Sequence, residues 1–133
     1  MKVKRAVIFT DGASRGNPGP AAIGVVMTDE QGKLIAAVSQ AIGTSTNNQA
    51  EYRAIIAALE KAIGLGVSQV EAYSDSELLV KQINGQYRVK NASLKSLYQQ
   101  VKRLQNQFGV FTIAHIPREQ NREADRLANN VLP

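Results

Sequence analysis

The sequence predicts an α/β fold: a five-stranded mixed sheet, its first three strands antiparallel, with helices on both faces. Three observations carry that expectation. The first third of the chain holds three β-branched or small-apolar runs joined by short turn-like stretches. After Thr46 the apolar spacing changes from a strand period to a helical one. From there helical and strand patterns alternate to the end, which sets helices against a sheet.

Residues Val3–Thr10 read as a buried strand, because Ala6, Val7, Ile8 and Phe9 form a continuous apolar run. Ala22–Met27 and Leu34–Ala41 follow, separated by DEQGK, a turn around Gly32. Thr46 with Gln49 three places later has the form of a capping box. Behind it Ala54, Ile55, Ala58, Leu59, Ala62 and Ile63 recur at helical spacing until Gly64 and Gly66. Val67–Ser74 is the fourth strand. A helix precedes it, so it should run parallel to a strand of the meander through a right-handed crossover. A helix over about Glu77–Ile83 follows at once, and Asn84-Gly85 breaks it. Leu94, Leu97, Tyr98, Val101 and Leu104 mark a third helix starting near Ser93. Val110–Ile116 is the fifth strand, stopped by Pro117, and Ala124, Leu127, Ala128 and Val131 mark a last short helix. No repeat, low-complexity tract or linker interrupts the chain, so residues 1–133 are expected to form one domain.

At 44% hydrophobic and 20% charged, the chain can bury a core and does not have the composition of a disordered segment. It has no cysteine, which excludes disulfides, thiolate metal sites and cysteine nucleophiles and fits a reducing compartment. The start, MKVKRAVIF, is basic and then apolar, but the run is too short for a signal peptide or a membrane span. A soluble cytoplasmic protein is expected. The net charge of +5 and pI of about 9.7 permit a polyanionic partner such as nucleic acid, although the basic residues are spread out and form no tail.

Four acids occupy positions that carboxylates usually avoid. Asp11 ends the first predicted strand before Gly12, where an Asp-Gly pair is also an ordinary turn. Glu51 heads the apolar stripe of Ile55, Ala58, Leu59 and Ala62, where a carboxylate needs a cation or a donor. A first-turn glutamate complementing the helix dipole is the plainer reading. Asp75 closes the fourth strand, where Asp or Ser also serves as an N-cap. Asp125 falls in the first turn of the final helix, again open to dipole complementation.

Together the four acids raise a different prospect. Two end strands that can be neighbours, and two begin helices packed on that sheet, whose strand ends gather at one edge. Four converging carboxylates repel one another unless a hard divalent cation lies between them. Oxygen-only ligands favour Mg²⁺ or Mn²⁺ over zinc. Two such ions ~4 Å apart can clamp the attacking and leaving oxygens of a phosphodiester. Spacing by itself leaves this phosphoryl-transfer site beside the turn, cap and dipole readings.

The stretches FTDGASRGNPGPAAIG, TNNQAEYRAIIAALE, YSDSELLVKQING and PREQNREADRLAN span nearly the whole chain. In this order they resemble the motifs of type 1 ribonuclease H, in a short form lacking the basic protrusion. The resemblance implies the ribonuclease H fold and hydrolysis of the RNA strand of RNA–DNA hybrids, leaving 5′-phosphate and 3′-hydroxyl ends. It implies that Asp11, Glu51, Asp75 and Asp125 are the metal-binding catalytic carboxylates. Asp11 would bridge two Mg²⁺ ions (Mn²⁺ as substitute), with Glu51 and Asp75 on one and Asp125 on the other.

It also implies substrate contacts. The backbone of Gly12, Ala13 and Ser14 would approach a sugar, and Ser76 would contact substrate beside Asp75. Asn17, Asn47 and Asn48 resemble family positions in the minor groove, where RNA displays its 2′-hydroxyls. Thr46 resembles a position that holds a DNA phosphate. A capping box accounts equally for Thr46, and turn formation for the asparagines.

Two departures from the family pattern stand out. Many members carry a mobile histidine in the loop before the last aspartate, and PREQNREAD has none. His115 is expected to be a packed strand residue. Arg118 is the candidate for the missing role through contact with phosphate, a solvated loop charge being the alternative. Between the second and third helices, where some members have an extra basic helix, stands only NGQYRVKNAS with Arg88 and Lys90. Weaker and less salt-dependent binding of the hybrid is expected than in protruded members.

Other readings are a nuclease of double-stranded RNA, a reverse-transcriptase domain cut from its polymerase, and an inert nucleic-acid-binding module. The last has little use for four negative charges beside a phosphate backbone. The start at Met1, the compact end at Pro133 and the lack of a broad apolar stripe favour a free-standing monomer with no obligate protein partner.

Overall fold

In the computed structural model residues 3–133 are described; Met1 and Lys2, part of the expected basic start, lie outside them. Three antiparallel strands come first: β1 (Arg5–Ser14), β2 (Gly19–Thr28) and β3 (Leu34–Ser45). The chain continues through α1 (Asn47–Gly64), β4 (Gln69–Ser74), α2 (Glu77–Ile83), α3 (Ala92–Gln105) and β5 (Val110–His115). A 3₁₀ turn at Arg118–Gln120 leads into α4 (Arg122–Asn129). The sheet order is β3-β2-β1-β4-β5, with β4 parallel to β1 and β5 parallel to β4. This is the expected five-stranded mixed sheet.

The helices form where local chemistry directs them. The capping box at the start of α1 is complete: Gln49 N donates to Thr46 Oγ1 at 3.2 Å, and Thr46 N donates to Gln49 Oε1 at 2.9 Å. The apolar stripe of α1 then packs on the sheet, joining Tyr52, Ile55 and Leu59 to Ile8, Val25 and Met27. Each large side chain buried this way stabilises the fold by about 1.5–3 kcal/mol relative to exposure. The Tyr52 hydroxyl donates to Gln82 Oε1 at 2.6 Å and ties α1 to α2 within the core. α3 packs behind α1, and α4 lies on the other face of β1 and β2. No helix among the described residues is long and apolar enough to cross a membrane.

Several boundaries differ from the sequence expectation, and the differences bear on function. β1 does not stop at Thr10 but runs on to Ser14, because β2 begins as early as Gly19 and keeps pairing as far as Ser14↔Ala21. Asp11 and Gly12 therefore lie inside a strand and not in a turn. β3 likewise runs past Ala41 to Ser45. Small and polar residues in these extensions have the composition of a turn, yet an available partner strand pairs them.

α3 begins at Ala92, capped by Asn91, whose Oδ1 accepts from Ser93 N at 2.9 Å. Val131 lies beyond α4 and is exposed. His115 is the last residue of β5 and is also exposed, contrary to the packed role expected of it. β5 is an edge strand, and most of its side chains lack a covering layer.

Candidate active site

The site forms where β1 and β4 part. Their parallel ladder ends at Thr10↔Ser74, so Asp11 and Asp75 are the next residues of adjacent strands. Beyond this point β1 continues with β2 alone, Asp11 opposite Gly24 and Gly12 opposite Ile23.

Two glycines let helices approach this point from opposite faces. A Cβ on Gly12 would fall 2.3 Å from Ala50 C and 2.4 Å from Glu51 N, so only a bare α-carbon lets α1 lie this close. On the other face, a Cβ on Gly24 would fall 2.0 Å from Ala124 O and 2.7 Å from Ala128 N, both in α4. α1 brings Glu51 and α4 brings Asp125.

Carboxylate oxygens of Asp11, Glu51 and Asp75 lie within 4.8 Å of one another. Asp125 stands outside that triangle but near enough to Asp11 to interact with it by charge and by hydrogen bonding. Asp11 is 5% exposed and Glu51 9%. Burial pushes the Asp11 carboxyl far above its usual range, and the neighbouring Glu51, Asp125 and Asp75 raise it further. Burial also raises Glu51; the Gly12 N–H, which donates to Glu51 Oε1, opposes that rise, and Asp75 adds to it. In the metal-free chain the pair of Asp11 and Glu51 therefore holds protons to higher pH than free carboxylates do.

Among the described residues the one cation within 4 Å of these acids is Arg118, whose Nη2 lies 3.8 Å from Asp125 Oδ1 on a side chain 79% exposed. An exposed arginine at that distance does little to neutralise buried acids. The donor set is all oxygen, crowded, and short of positive charge, which fits a hard divalent cation. Asp11, Glu51 and Asp75 can hold one.

The structure separates the alternatives for Glu51 and Asp75 and leaves both standing for Asp125. Glu51 lies beyond the first turn of α1, which contains no acidic residue, so dipole complementation does not explain it. Asp75 is not the cap of α2: Ser76 is, its Oγ accepting from Leu79 N at 3.3 Å. Asp125 does lie in the first turn of α4, while also lining the cleft.

Of the other predicted residues, Gly12, Ala13, Ser14, Asn47, Asn48, Ser76 and Arg118 line the cleft around the acids. Asn17 and Thr46 do not line it. Asn17 Oδ1 accepts from Asn47 N at 3.1 Å and steadies the start of α1, while Thr46 caps that helix. Only eight residues, 84–91, join α2 to α3, and they contain no helix.

Three residues escaped the sequence reading. Arg15 and Asn129 line the cleft. Arg15 Nη1 donates to Asn129 Oδ1 at 2.8 Å, and Asn129 Nδ2 donates to Asp125 Oδ1 at 3.1 Å. The spacing of Asn129 four residues after Asp125, one turn along a helix, was the available signal. Asn121, between Thr10 and Asp75, had no signal in sequence because its partners are 111 and 46 residues away.

A mixed sheet in this strand order, with acids gathered where its central parallel strands diverge, is the arrangement of the ribonuclease H-like proteins. The family described as "Reverse transcriptase-like" matches residues 9–131. The bifunctional protein Rv2228c of Mycobacterium tuberculosis is 45% identical over 129 residues, 96% of this chain. The chain spans only 35% of that relative's length. RNase H1 from the archaeon Halobacterium salinarum has a TM-score of 0.94 and 43% identity, covering 96% of this chain and 97% of that one. LC11-RNase H1 in complex with an RNA/DNA hybrid has a TM-score of 0.88 and 44% identity, covering 94% of each chain. The chain belongs to the ribonuclease H family.

Proposed function

We propose that this chain is a metal-dependent endonuclease that hydrolyses the RNA strand of RNA–DNA hybrids. The observation that carries the proposal is the triangle of Asp11, Glu51 and Asp75, the first two buried and the third partly so, with oxygens within 4.8 Å and, among the described residues, no buried cation to balance them. Support comes from a relative of 44% identity that was crystallised with an RNA/DNA hybrid.

When bound there, Mg²⁺ ions, or Mn²⁺ in their place, would supply the Lewis acidity for activating a water and offsetting charge on the attacking and leaving oxygens of a phosphodiester. Asp11, Glu51, Asp75 and Asp125 would hold the ions, Asp11 shared between two, Glu51 and Asp75 serving one and Asp125 the other. Asp11 would hold metal as the carboxylate, so loading the site would release its proton. The backbone at Gly12, Ala13 and Ser14 meets a sugar of the RNA strand, and Ser76 lies beside it. Asn47 and Asn48 read the minor groove, with Asn17 supporting Asn47, and Thr46 holds a phosphate of the DNA strand. Arg118, exposed at the cleft, contacts an RNA phosphate. A water oxygen bonds to phosphorus, the bond from phosphorus to the 3′-oxygen breaks, and that oxygen takes a proton. The products carry 5′-phosphate and 3′-hydroxyl ends, with no covalent enzyme intermediate. Residues 1–133 act as one catalytic domain.

A cleavage assay on hybrid, double-stranded RNA and double-stranded DNA, with Mg²⁺, Mn²⁺ or EDTA, tests this. The expected result is cutting of the hybrid that needs the metal and is lost in Asp11→Asn. Full activity in Asp11→Asn, or in EDTA, would sink it.

A further inference from the structure

Asn121 stands in the gap that opens as β1 and β4 diverge. It follows the 3₁₀ turn, precedes α4, and is 1% exposed. Its Nδ2 donates to the carbonyl oxygen of Thr10 at 2.8 Å and to Asp75 Oδ2 at 3.1 Å. Thr10 is the last β1 residue paired with β4, so the amide grips the backbone immediately before Asp11 as well as the side chain of Asp75. Both partners only accept, so the nitrogen must face them, and Asn121 Oδ1 is left buried with no partner. An unpaired buried oxygen costs stability. Among the described residues no other group donates a hydrogen bond to the Asp75 carboxylate.

We infer that Asn121 is a positioning residue for the metal site: its amide holds the Asp75 carboxylate in register with Asp11. The inference rests on the reading of these acids as metal ligands. One hydrogen of the amide anchors to the rigid end of the sheet and the other orients the ligand. Hydrogen-bonded partners of this kind fix the orientation of a ligand and tune its affinity for metal. Asn121 is 1% exposed and does not line the cleft, so it acts through Asp75.

The test is Mn²⁺ binding measured by calorimetry, without substrate, on the wild type, Asn121→Ala, Asp75→Asn and the double variant. Asn121→Ala is expected to weaken Mn²⁺ binding roughly 10- to 100-fold. The same substitution in the Asp75→Asn background should change binding less than about twofold, because the contact is already gone. A purely structural role would lower the melting temperature in both backgrounds and leave Mn²⁺ affinity unchanged.

Asn121→Ser, which keeps a donor in a smaller volume, carries the same titration should the alanine variant not fold. A further readout needs no substitution at Asn121: its side-chain amide resonances should move on Mg²⁺ addition to the wild type and stay in place in Asp75→Asn. Unchanged Mn²⁺ affinity in folded Asn121→Ala, equal weakening in both backgrounds, or unmoved amide resonances would overturn the inference while the proposed nuclease stands. A wild type that binds no Mn²⁺ would overturn the metal reading itself.

Discussion

Asp11 and Gly24 are cross-strand partners, and the absence of a side chain at Gly24 determines how near α4 comes to the aspartate. A methyl group at Gly24 would meet the backbone of α4, which has no flexible end to move aside. Gly24→Ala is therefore expected to destabilise the fold by about 2 kcal/mol or more. Hybrid cleavage should fall further than the unfolded fraction explains, because Asp125 moves with the helix. Gly64→Ala is the control, since nothing lies within 4 Å of its added carbon; it should be neutral or slightly stabilising. Urea melts and cleavage rates on the same samples check both.

Asp11→Asn should separate stability from activity. The wild-type carboxyl is buried among other acids and must hold a proton or a charge there, whereas the amide keeps its shape and needs neither. Without metal the variant is expected to melt a few degrees higher, about 1 kcal/mol corresponding to roughly 3–6 °C in a domain of this size. Cleavage should be lost. A variant that melts lower than the wild type without metal would refute the claim that this cluster stores repulsion.

The same shifts predict a pH dependence. Asp11 and Glu51 hold their protons to higher pH in the folded chain than their ordinary values of 3.8 and 4.5. Between the unfolded and folded values the native state carries more protons, so stability is lost as pH rises through that window. Surface carboxylates add their own pH dependence, so the measurement is the difference between Asp11→Asn and the wild type, both without metal. Their gap in melting temperature should widen from about pH 5 to about pH 9. Mn²⁺ should stabilise the wild type far more than the variant. Binding should also release protons, seen as a calorimetric heat that varies with the ionisation enthalpy of the buffer.

Arg118 offers a contrast. Its side chain is exposed and its one acidic neighbour is 3.8 Å away, so Arg118→Ala should change stability by less than about 0.5 kcal/mol. If the guanidinium contacts a phosphate, cleavage should drop by roughly tenfold, with part of the loss restored in Arg118→Lys. Cleavage rates unchanged in Arg118→Ala would leave it a solvated loop charge.

Much of the fold was legible because its signals are local. The capping box at Thr46 and Gln49, the stripe of Ile55, Ala58, Leu59 and Ala62, and the break at Asn84-Gly85 each lie within a few residues. The strand extensions were not legible. Gly12, Ala13 and Ser14 pair because Ala21, Ala22 and Ile23 happen to face them, and their own propensities argue for a turn. His115 misled for a related reason: it does sit in a strand, but that strand is an edge with little covering it.

By itself the sequence determined the elements, their order, and four acids in positions that invite explanation. It could not decide whether those acids meet. That depends on register, Thr10 beside Ser74 and Asp11 opposite Gly24, and on two bare α-carbons that admit α1 and α4. Hydrophobic period reports which face a residue occupies; which distant residues share that place follows from strand pairing and helix docking. Asn121 shows the limit most clearly, an ordinary loop asparagine until the folded chain sets it between Thr10 and Asp75.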